Sequence, residues 1–471
     1  MQVFIKPALA LICALVTLSS LTPVAAPPPS TPPAAIEAVS LNAAARPRGY
    51  LTSPSELVSI ARKAAKGTQP YADAVDDVLE WAQKPWEYPL DSEARCPDAE
   101  QPAWNDNDEG TPKLYARALA YHLTGQVRYA REASDILEQI MSEVSSISIK
   151  QQQCRLNFSW GTPELVASAD LIETYWQGKT CRGPVSTVYG QNDLTQGSCK
   201  KLFQNWLVKN PYYVVSYSAE RAQSNWGAAA TNTSAYIADY VGDRPEIKLI
   251  ARTKNAEIQL SPHQAYVRAR QLALDRMNGY RVELDSRYSC DYLHGAQQKK
   301  GDEPVKSQIT ELGIIPEDAR RDEFCNIEEY DGSYQNYPQL HLGNNIQQCE
   351  LLLRRGDSSC YDNVSRQDVK NFSFIDAKGK RQTTELHKGR GSIERAIQAI
   401  ILDSETEWKK DSSLEVAYHY YLVHHTLPGI ELWFAQLQRP SKCSQDICFG
   451  TLTHGFAQGE TPAAPLVVRA P

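Results

Sequence analysis

The fold is decided by the stretch LYARALAYHLTGQVRYAREASDIL, residues 114 to 137. Apolar residues recur in it at spacings of three and four on both sides of Thr124 and Gly125, a pair typical of turns. Each side predicts an amphipathic helix, and the turn between them predicts that the two helices pack as a hairpin.

The same period continues along the chain, whereas the alternation typical of β-strands is scarce. It predicts helices at residues 163–176, 225–240, 262–277, 334–354, 393–402 and 414–425. Residues 279–331 have no clear period and predict a small lid that is irregular or contains β-structure. We therefore expect an all-α fold, an α/α toroid in which helix hairpins close into an incomplete or complete barrel.

The two ends of the chain differ in composition from the middle. Lys6, an apolar run at residues 8–21 and small residues up to Ala26 form the pattern of a signal peptide, so residues 1–26 predict secretion. The run is too short to span a bilayer, and no later segment is apolar enough to do so. Residues 27–47 and 458–471, rich in Pro and Ala, predict a disordered lead and tail around a folded domain at 48–457.

Cysteine usage agrees with export. Of the eleven cysteines, Cys13 lies in the predicted leader, and the even number that remains favours disulfides, with local pairs expected at Cys181–Cys199 and Cys443–Cys448. No C-x2-C spacing supports the alternative of a zinc site. Four N-x-[ST] sequons predict a glycoprotein, at Asn157, Asn232, Asn363 and Asn371. No glycan is expected at Asn232, because it lies in a stretch that carries candidate site residues, where a glycan would obstruct.

The net charge of −7 and the lack of a sustained basic run argue against a nucleic-acid partner. An acidic polysaccharide remains compatible, because it needs only a local cationic cleft. No P-loop, Rossmann glycine motif, G-x-S-x-G or H-E-x-x-H occurs. We expect a monomer that uses no cofactor and no metal and does not bind membranes.

Four segments together resemble the alginate lyase superfamily of helical-toroid polysaccharide lyases. They are residues 114–137, SNWGAAATNTSAYIADYVGDR at 224–244, NIEEYDGSYQNYPQLHLGNNIQQCELLLRRGD at 326–357, and LEVAYHYYLVH at 414–424. They follow the order of the family and span most of the chain. The resemblance implies an enzyme that cleaves a uronic acid polymer, of the alginate or glucuronan type, by β-elimination.

Such a reaction needs a group that stabilises the uronate carboxylate as C5 loses its proton, a base for that proton and an acid for O4. The resemblance implies Asn225 for the carboxylate, since an amide donates to it without burying a charge. The alternative role for Asn225 is a helix N-cap. Trp226, where many relatives have His, is expected to stack on a sugar or to pack in the core.

Tyr334, Tyr337 and His341 are spaced by three and four and share one helix face. The resemblance implies Tyr337 as base and acid, with Tyr334 and His341 beside it; an aromatic stripe packed in the core is the alternative. Arginines are the candidate partners for uronate carboxylates: Arg221, Arg320, Arg321 and Arg390. The cations at 320 and 321 would replace an arginine that relatives carry closer to the catalytic residue.

Two rival functions follow from the same residues. Carboxylate pairs, Glu328 with Glu329 and Asp106 with Asp108, would instead suit an inverting glycoside hydrolase on the same toroid. A non-catalytic carbohydrate-binding cell-wall protein is expected if Asn225 and Tyr337 are far apart or buried.

Overall fold

The computed structural model of the protein describes residues 49–86, 110–144, 152–183, 196–222, 224–253, 255–278, 337–362, 368–375, 380–388, 391–398, 411–424, 437–441, 443, 447–457, 459–460, 462 and 464–467. All of them belong to one compact unit, Leu41–Pro471. The predicted leader, lead and lid lie outside the described residues. The domain limits therefore stay predictions.

Helices dominate the described residues, as the period of three and four predicts. They are α1 (Pro54–Ala64), α2 (Tyr71–Gln83), α3 (Thr111–Thr124), α4 (Val127–Glu143), α5 (Gln152–Leu171), α6 (Glu173–Trp176), α7 (Cys199–Leu207), α8 (Tyr213–Arg221), α9 (Asn225–Tyr240), α10 (Pro262–Met277), α11 (Tyr337–Arg354), α12 (Ile393–Gln398), α13 (Asp411–His424) and α14 (Gly450–His454). A π-helical turn, Val208–Tyr212, joins α7 to α8. The predicted hairpin is α3 and α4, and Gly125 ends α3 with a φ of 69°. Among the described helices, none combines the length and apolar character needed to cross a bilayer.

The described strands form three separate antiparallel hairpins. They pair β1 (Thr180–Arg182) with β2 (Gln196–Ser198), β3 (Leu249–Arg252) with β4 (Glu257–Leu260), and β5 (Asp368–Ile375) with β6 (Arg381–Lys388). The longest pair runs in register from Asp368 opposite Lys388 to Ile375 opposite Arg381. These hairpins are additions to a helical fold, and the sequence analysis did not anticipate them.

The helix contacts close into a ring. Going around it, α3 packs against α5, α5 against α9, α9 against α11, and α11 against α13; α13 then contacts α14, α14 contacts α2, and α2 returns to α3. A second set lies against this ring: α4 on α3, α8 and α10 on α9, and α12 on α11. This arrangement confirms the predicted all-α toroid.

Helix α5 begins earlier than predicted. The apolar period predicts a start at Pro163, whereas α5 begins at Gln152. Instead Pro163 lies inside α5, where its missing N–H cannot bond the carbonyl of Ser159. The Thr233 hydroxyl of α9 donates to that carbonyl, so the proline costs no hydrogen bond and α5 is tied to α9.

The structure shows which of the cysteines are bonded and which of the sequon asparagines are buried. Cys181 is bonded to Cys199 and Cys443 to Cys448, as predicted, and Cys349 is bonded to Cys360. Asn157 and Asn232 are buried, which leaves no access for a glycan at either side chain, and glycosylation of the chain stays a prediction. Asn363 lies outside the described residues, as does the side chain of Asn371.

The described part of the predicted tail contacts the first two helices. Glu460 forms an ion pair with Lys63 and accepts a hydrogen bond of 2.7 Å from the Tyr71 hydroxyl. The backbone N–H of Leu466 donates to Glu56 at 3.3 Å. Glu460 is therefore held against the fold, and the expectation of a disordered tail does not extend to it.

Candidate functional site

Helices α9 and α11 run in the same direction. Near the middle of both, the amide of Asn232 donates to Gln347, and after their C-terminal turns Arg355 donates two hydrogen bonds of 2.8 Å to Asp239. The partners are 115 and 116 positions apart in sequence, and only parallel helices give a nearly constant offset. Asn225 is the first residue of α9, and Tyr337 and His341 lie in the first two turns of α11, so all three lie at the N-terminal ends of two parallel helices.

The polar stripes of the two helices face each other. Seven residues make almost two helical turns, so residues at that spacing lie on one stripe. One such set is on α9 and one on α11: Asn225, Asn232 and Asp239, and His341, Gln348 and Arg355. Asp239 pairs with Arg355, which directly follows α11, and Asn232 bonds to Gln347, the neighbour of Gln348. The two sets therefore lie along the contact between the helices, with Asn225 and His341 near its N-terminal end. Tyr337 lies one turn before His341 on the same face.

We name the two ends of this helix pair by their residues. The motif end comprises Asn225, Trp226, Tyr337 and His341, at the N-terminal ends of α9 and α11. The ion-pair end comprises Asp239, Glu350, Arg354 and Arg355, at the C-terminal ends.

Burial divides the motif end into an inner and an outer part. Asn225 is 1% exposed and His341 2%, whereas Trp226 and Tyr337 are only half-buried. A ligand approaching from solvent would therefore meet the Trp226 and Tyr337 rings first. The structure brings these four predicted residues to one end of a helix pair, and it leaves their catalytic roles as predictions.

The start of α9 is fixed by its neighbours. Ser224 occupies the N-cap position, so the alternative role of Asn225 as the cap is wrong, and Asn225 is the first helical residue. A Cβ at Gly227 would lie 2.0 Å from the carbonyl oxygen of Ala222 and 2.7 Å from Nε of Arg276. That arginine donates to the Ala222 carbonyl at 3.2 Å. The glycine after Trp226 is therefore required by close packing of the turn that presents Asn225.

Of the predicted cations, Arg221 is described. It is exposed, ends α8 and donates to the Tyr217 hydroxyl at 2.7 Å and to the Thr253 carbonyl at 3.2 Å. Three residues separate it from Asn225, so the two Cα atoms lie within about 14 Å of each other. The other predicted site residues lie outside the described ranges: Tyr334, Arg320, Arg321 and Arg390. So do the acids of the hydrolase alternative: Glu328, Glu329, Asp106 and Asp108.

The sequence analysis missed Arg155, Arg252 and Tyr217 near Arg221. Arg155 comes from the first turns of α5 and donates to the Ser218 hydroxyl at 3.2 Å, and Arg252 ends β3. Their guanidinium groups lie 5.0 Å and 5.4 Å from the centre of the Tyr217 ring, and that of Arg221 lies 4.0 Å from it. Residues so distant in sequence carry no shared motif, so no sequence signal joins them.

At the ion-pair end the charges neutralise one another. Arg354 donates to Glu350 at 2.8 Å, to Glu56 at 3.0 Å and to the Leu51 carbonyl at 2.7 Å. Burial raises the pKa of Glu350, but His454 and Arg354 outweigh it and lower that pKa to about 2. Burial likewise lowers the pKa of Arg355, yet Asp239 raises it above the usual range. This end is built to hold buried charge.

Comparison with solved structures shows that the chain is similar to an alginate lyase. No family model matches the chain, and no curated protein matches it. A crystal structure of an alginate lyase from Bacteroides ovatus is similar over 86% of this chain and 98% of that chain, with 15% identity and a TM-score of 0.47.

Proposed function

We propose that this chain is a polysaccharide lyase that cleaves a uronic acid polymer, of the alginate or glucuronan type, by β-elimination. The observation that supports the proposal is the parallel packing of α9 and α11, whose N-terminal ends carry Asn225 on one helix and Tyr337 with His341 on the other. Two segments that resemble the same lyase family, and that lie about a hundred positions apart, thereby meet at one end of a helix pair.

The motif end carries the functional groups that the elimination needs. The Tyr337 hydroxyl, as tyrosinate, takes the proton from C5, the C–H electrons form the C4–C5 double bond, and the C4–O4 bond breaks. The same hydroxyl returns the proton to O4, which is the general acid step. The Asn225 amide donates to the uronate carboxylate, where negative charge grows in the transition state.

The other two side chains support these steps. Trp226, half-buried beside Asn225, offers an apolar face on which a sugar ring packs. His341, one turn from Tyr337, is a hydrogen-bonding partner for the reacting hydroxyl. Arg221, exposed at the end of α8, is placed to bind a uronate carboxylate.

Export is part of the proposal. The leader pattern at residues 1–26 and the three described disulfides support an extracellular protein, because disulfides persist in oxidising compartments. We propose that the secreted chain acts as a monomer.

A second candidate is a non-catalytic carbohydrate-binding protein, and one observation favours it. Asn225 and His341 are almost fully buried, which is the ordinary state of polar residues that stabilise a core through hydrogen bonds. In that role the half-buried Trp226 and Tyr337 would bind sugars without reacting with them.

The test is an absorbance screen of the purified protein against mannuronate, guluronate and glucuronate polymers. A lyase releases products with a C4–C5 double bond, so ultraviolet absorbance rises together with new reducing ends. Reducing ends without absorbance would identify a hydrolase instead. Binding of a polymer without a rise in absorbance or in reducing ends would show that the chain is a non-catalytic binding protein.

A further inference from the structure

Three arginines from three different elements surround one tyrosine ring beside the motif end. The Tyr217 ring of α8 has the guanidinium carbons of Arg221 at 4.0 Å, Arg155 at 5.0 Å and Arg252 at 5.4 Å from its centre. We call these four residues the arginine cluster. Like charges so close together repel each other, and an anion beside them lowers that repulsion.

This repulsion affects the pKa of Arg155. Burial lowers the pKa of Arg155, Tyr217 raises it, and Arg221 and Arg252 lower it further, with a net decrease. Arg155 is itself buried, whereas Arg221 is exposed, so the positive charge extends from the protein interior to solvent.

Arg252 has donor capacity that the described residues do not use. Its Nη1 is buried and has no hydrogen-bond partner among them, although the side chain as a whole is 24% exposed. Its Nε lies 3.4 Å from Glu257, a side chain that is 51% exposed and accepts a hydrogen bond of 2.7 Å from Tyr213. A carboxylate of the protein thus already occupies one edge of the cluster, and a second anion fits the chemistry of the remaining donors.

The position of the cluster relates it to the motif end. Arg221 ends α8, and the chain reaches Asn225 four residues later. The neighbouring acid Glu220 accepts hydrogen bonds from Arg268 at both of its carboxylate oxygens.

We propose that Arg155, Arg221 and Arg252, arranged around Tyr217, form a binding subsite for the carboxylate of a uronate unit next to the one that is cleaved. The inference rests on the proposed function for its substrate class. Its geometry, three guanidinium groups around one ring, is independent of any catalytic step.

The experiment measures binding by isothermal titration calorimetry in the Tyr337→Phe background, so that the ligand is not consumed. The ligand is an oligoglucuronate or oligomannuronate, and its methyl ester serves as the neutral analogue. We expect Arg252→Gln to weaken binding of the acid about tenfold, because a charge-assisted hydrogen bond is lost, and to leave binding of the ester unchanged. Arg221→Gln is the second variant and should weaken binding in the same direction.

Two further variants separate charge from folding. Glu257→Gln keeps the shape and the hydrogen bond from Tyr213 but removes the competing negative charge, so it should tighten binding about threefold. Arg244→Gln is the matched control, since the Arg244 side chain is 22% exposed and also pairs with a glutamate, Glu246, but follows the opposite end of α9. It should leave binding unchanged.

The outcomes distinguish this proposal from the lyase assignment. Equal affinities for Arg252→Gln and Arg244→Gln, or equal losses for the acid and its ester, would overturn the subsite even if the polymer is cleaved. The same follows if neither oligomer binds. If binding depends on charge but the wild-type protein, which keeps Tyr337, releases no unsaturated product, the subsite stands and the lyase assignment is rejected.

Discussion

The two ends of the α9–α11 pair are built from different chemistry. At the ion-pair end, Asp239 and Arg355 form a bidentate pair, and Arg354 joins Glu350 to Glu56. At the motif end, Asn225 carries a neutral amide, and the half-buried Trp226 and Tyr337 rings lie toward solvent.

This difference separates stability from function within one helix pair. Buried charges that are fully paired fix the register of two helices but leave no group for a ligand. The register set at the ion-pair end then determines which part of α11 lies beside Asn225, almost four helical turns away. We infer that the ion-pair end positions the motif end, and the variants below test each half of that statement.

The largest effect should come from Asp239→Asn. The Arg355 side chain is 2% exposed, and the substitution leaves its guanidinium without its charged partner. Loss of one partner of a buried ion pair lowers the free energy of unfolding by about 3 to 5 kcal/mol. Urea denaturation would measure it. The control Arg244→Gln breaks a pair with Glu246, whose side chain is 65% exposed, and a 2.8 Å hydrogen bond to Asn205, and should cost only about 1 kcal/mol. Equal costs for the two variants would show that the ion-pair end does not fix the register.

A pH titration tests the charge at the same end. The pKa of Glu350 is about 2 in the folded protein, below the 4.5 of an unperturbed glutamate, so the folded state holds the proton less tightly. The stabilisation is therefore complete above about pH 4.5 and is lost as the pH falls toward 2, an effect on the order of 3 kcal/mol. The stability difference between wild type and Glu350→Gln should shrink over that range. A difference independent of pH would mean that Glu350 is not ionised in the fold.

Gly227→Ala tests whether close packing of the turn before α9 positions Asn225. The added Cβ would meet the Ala222 carbonyl at 2.0 Å, so the turn before α9 must shift, at a cost of about 1 to 3 kcal/mol. Because that turn presents Asn225, activity should fall by more than the fraction of unfolded protein explains. Stability and kcat measured on the same sample decide this. Normal activity in a folded variant would show that the position of Asn225 is unimportant.

The smallest effect should come from Trp226→Ala. A ring that only stacks on a sugar contributes to binding of the ground state and the transition state alike, so KM should rise about tenfold with kcat nearly unchanged. Asn225→Ala should do the opposite, lowering kcat, since its hydrogen bond strengthens in the transition state. Steady-state kinetics on the polymer found in the screen would separate the two. A fall in kcat for Trp226→Ala with unchanged KM would contradict the stacking role.

Periodicity predicted the helices that carry the motif end. Helices α9 and α10 have the predicted limits, Asn225–Tyr240 and Pro262–Met277, because their apolar period and the residues at their starts agree. Helices α1, α2, α7, α8 and α14 were not predicted, although Ser53 before Pro54 is a recognisable helix start. The strands β5 and β6 were missed because together they form a single hairpin, and a short alternating run carries little signal.

The site itself was predictable only in part. The seven-residue spacing of Asn225, Asn232 and Asp239 is visible in sequence, and it marks one stripe of a helix. The partner of that stripe depends on tertiary contacts, here Asn232 with Gln347 and Asp239 with Arg355. The grouping of Arg155 and Arg252 around Tyr217 depends on such contacts entirely, so no period or motif could reveal it.

The central claim is that the motif end performs the chemistry, and kcat of Tyr337→Phe tests it most directly. The substitution removes only the hydroxyl of a half-buried ring, so fold and substrate affinity should remain. We predict that kcat, followed by the absorbance of the unsaturated product, falls about 10²- to 10⁴-fold, as expected for the loss of a proton-transferring group. The thermal unfolding midpoint should stay within about 2 °C of that of the wild type. A Tyr337→Phe protein with the kcat of the wild type would contradict the account.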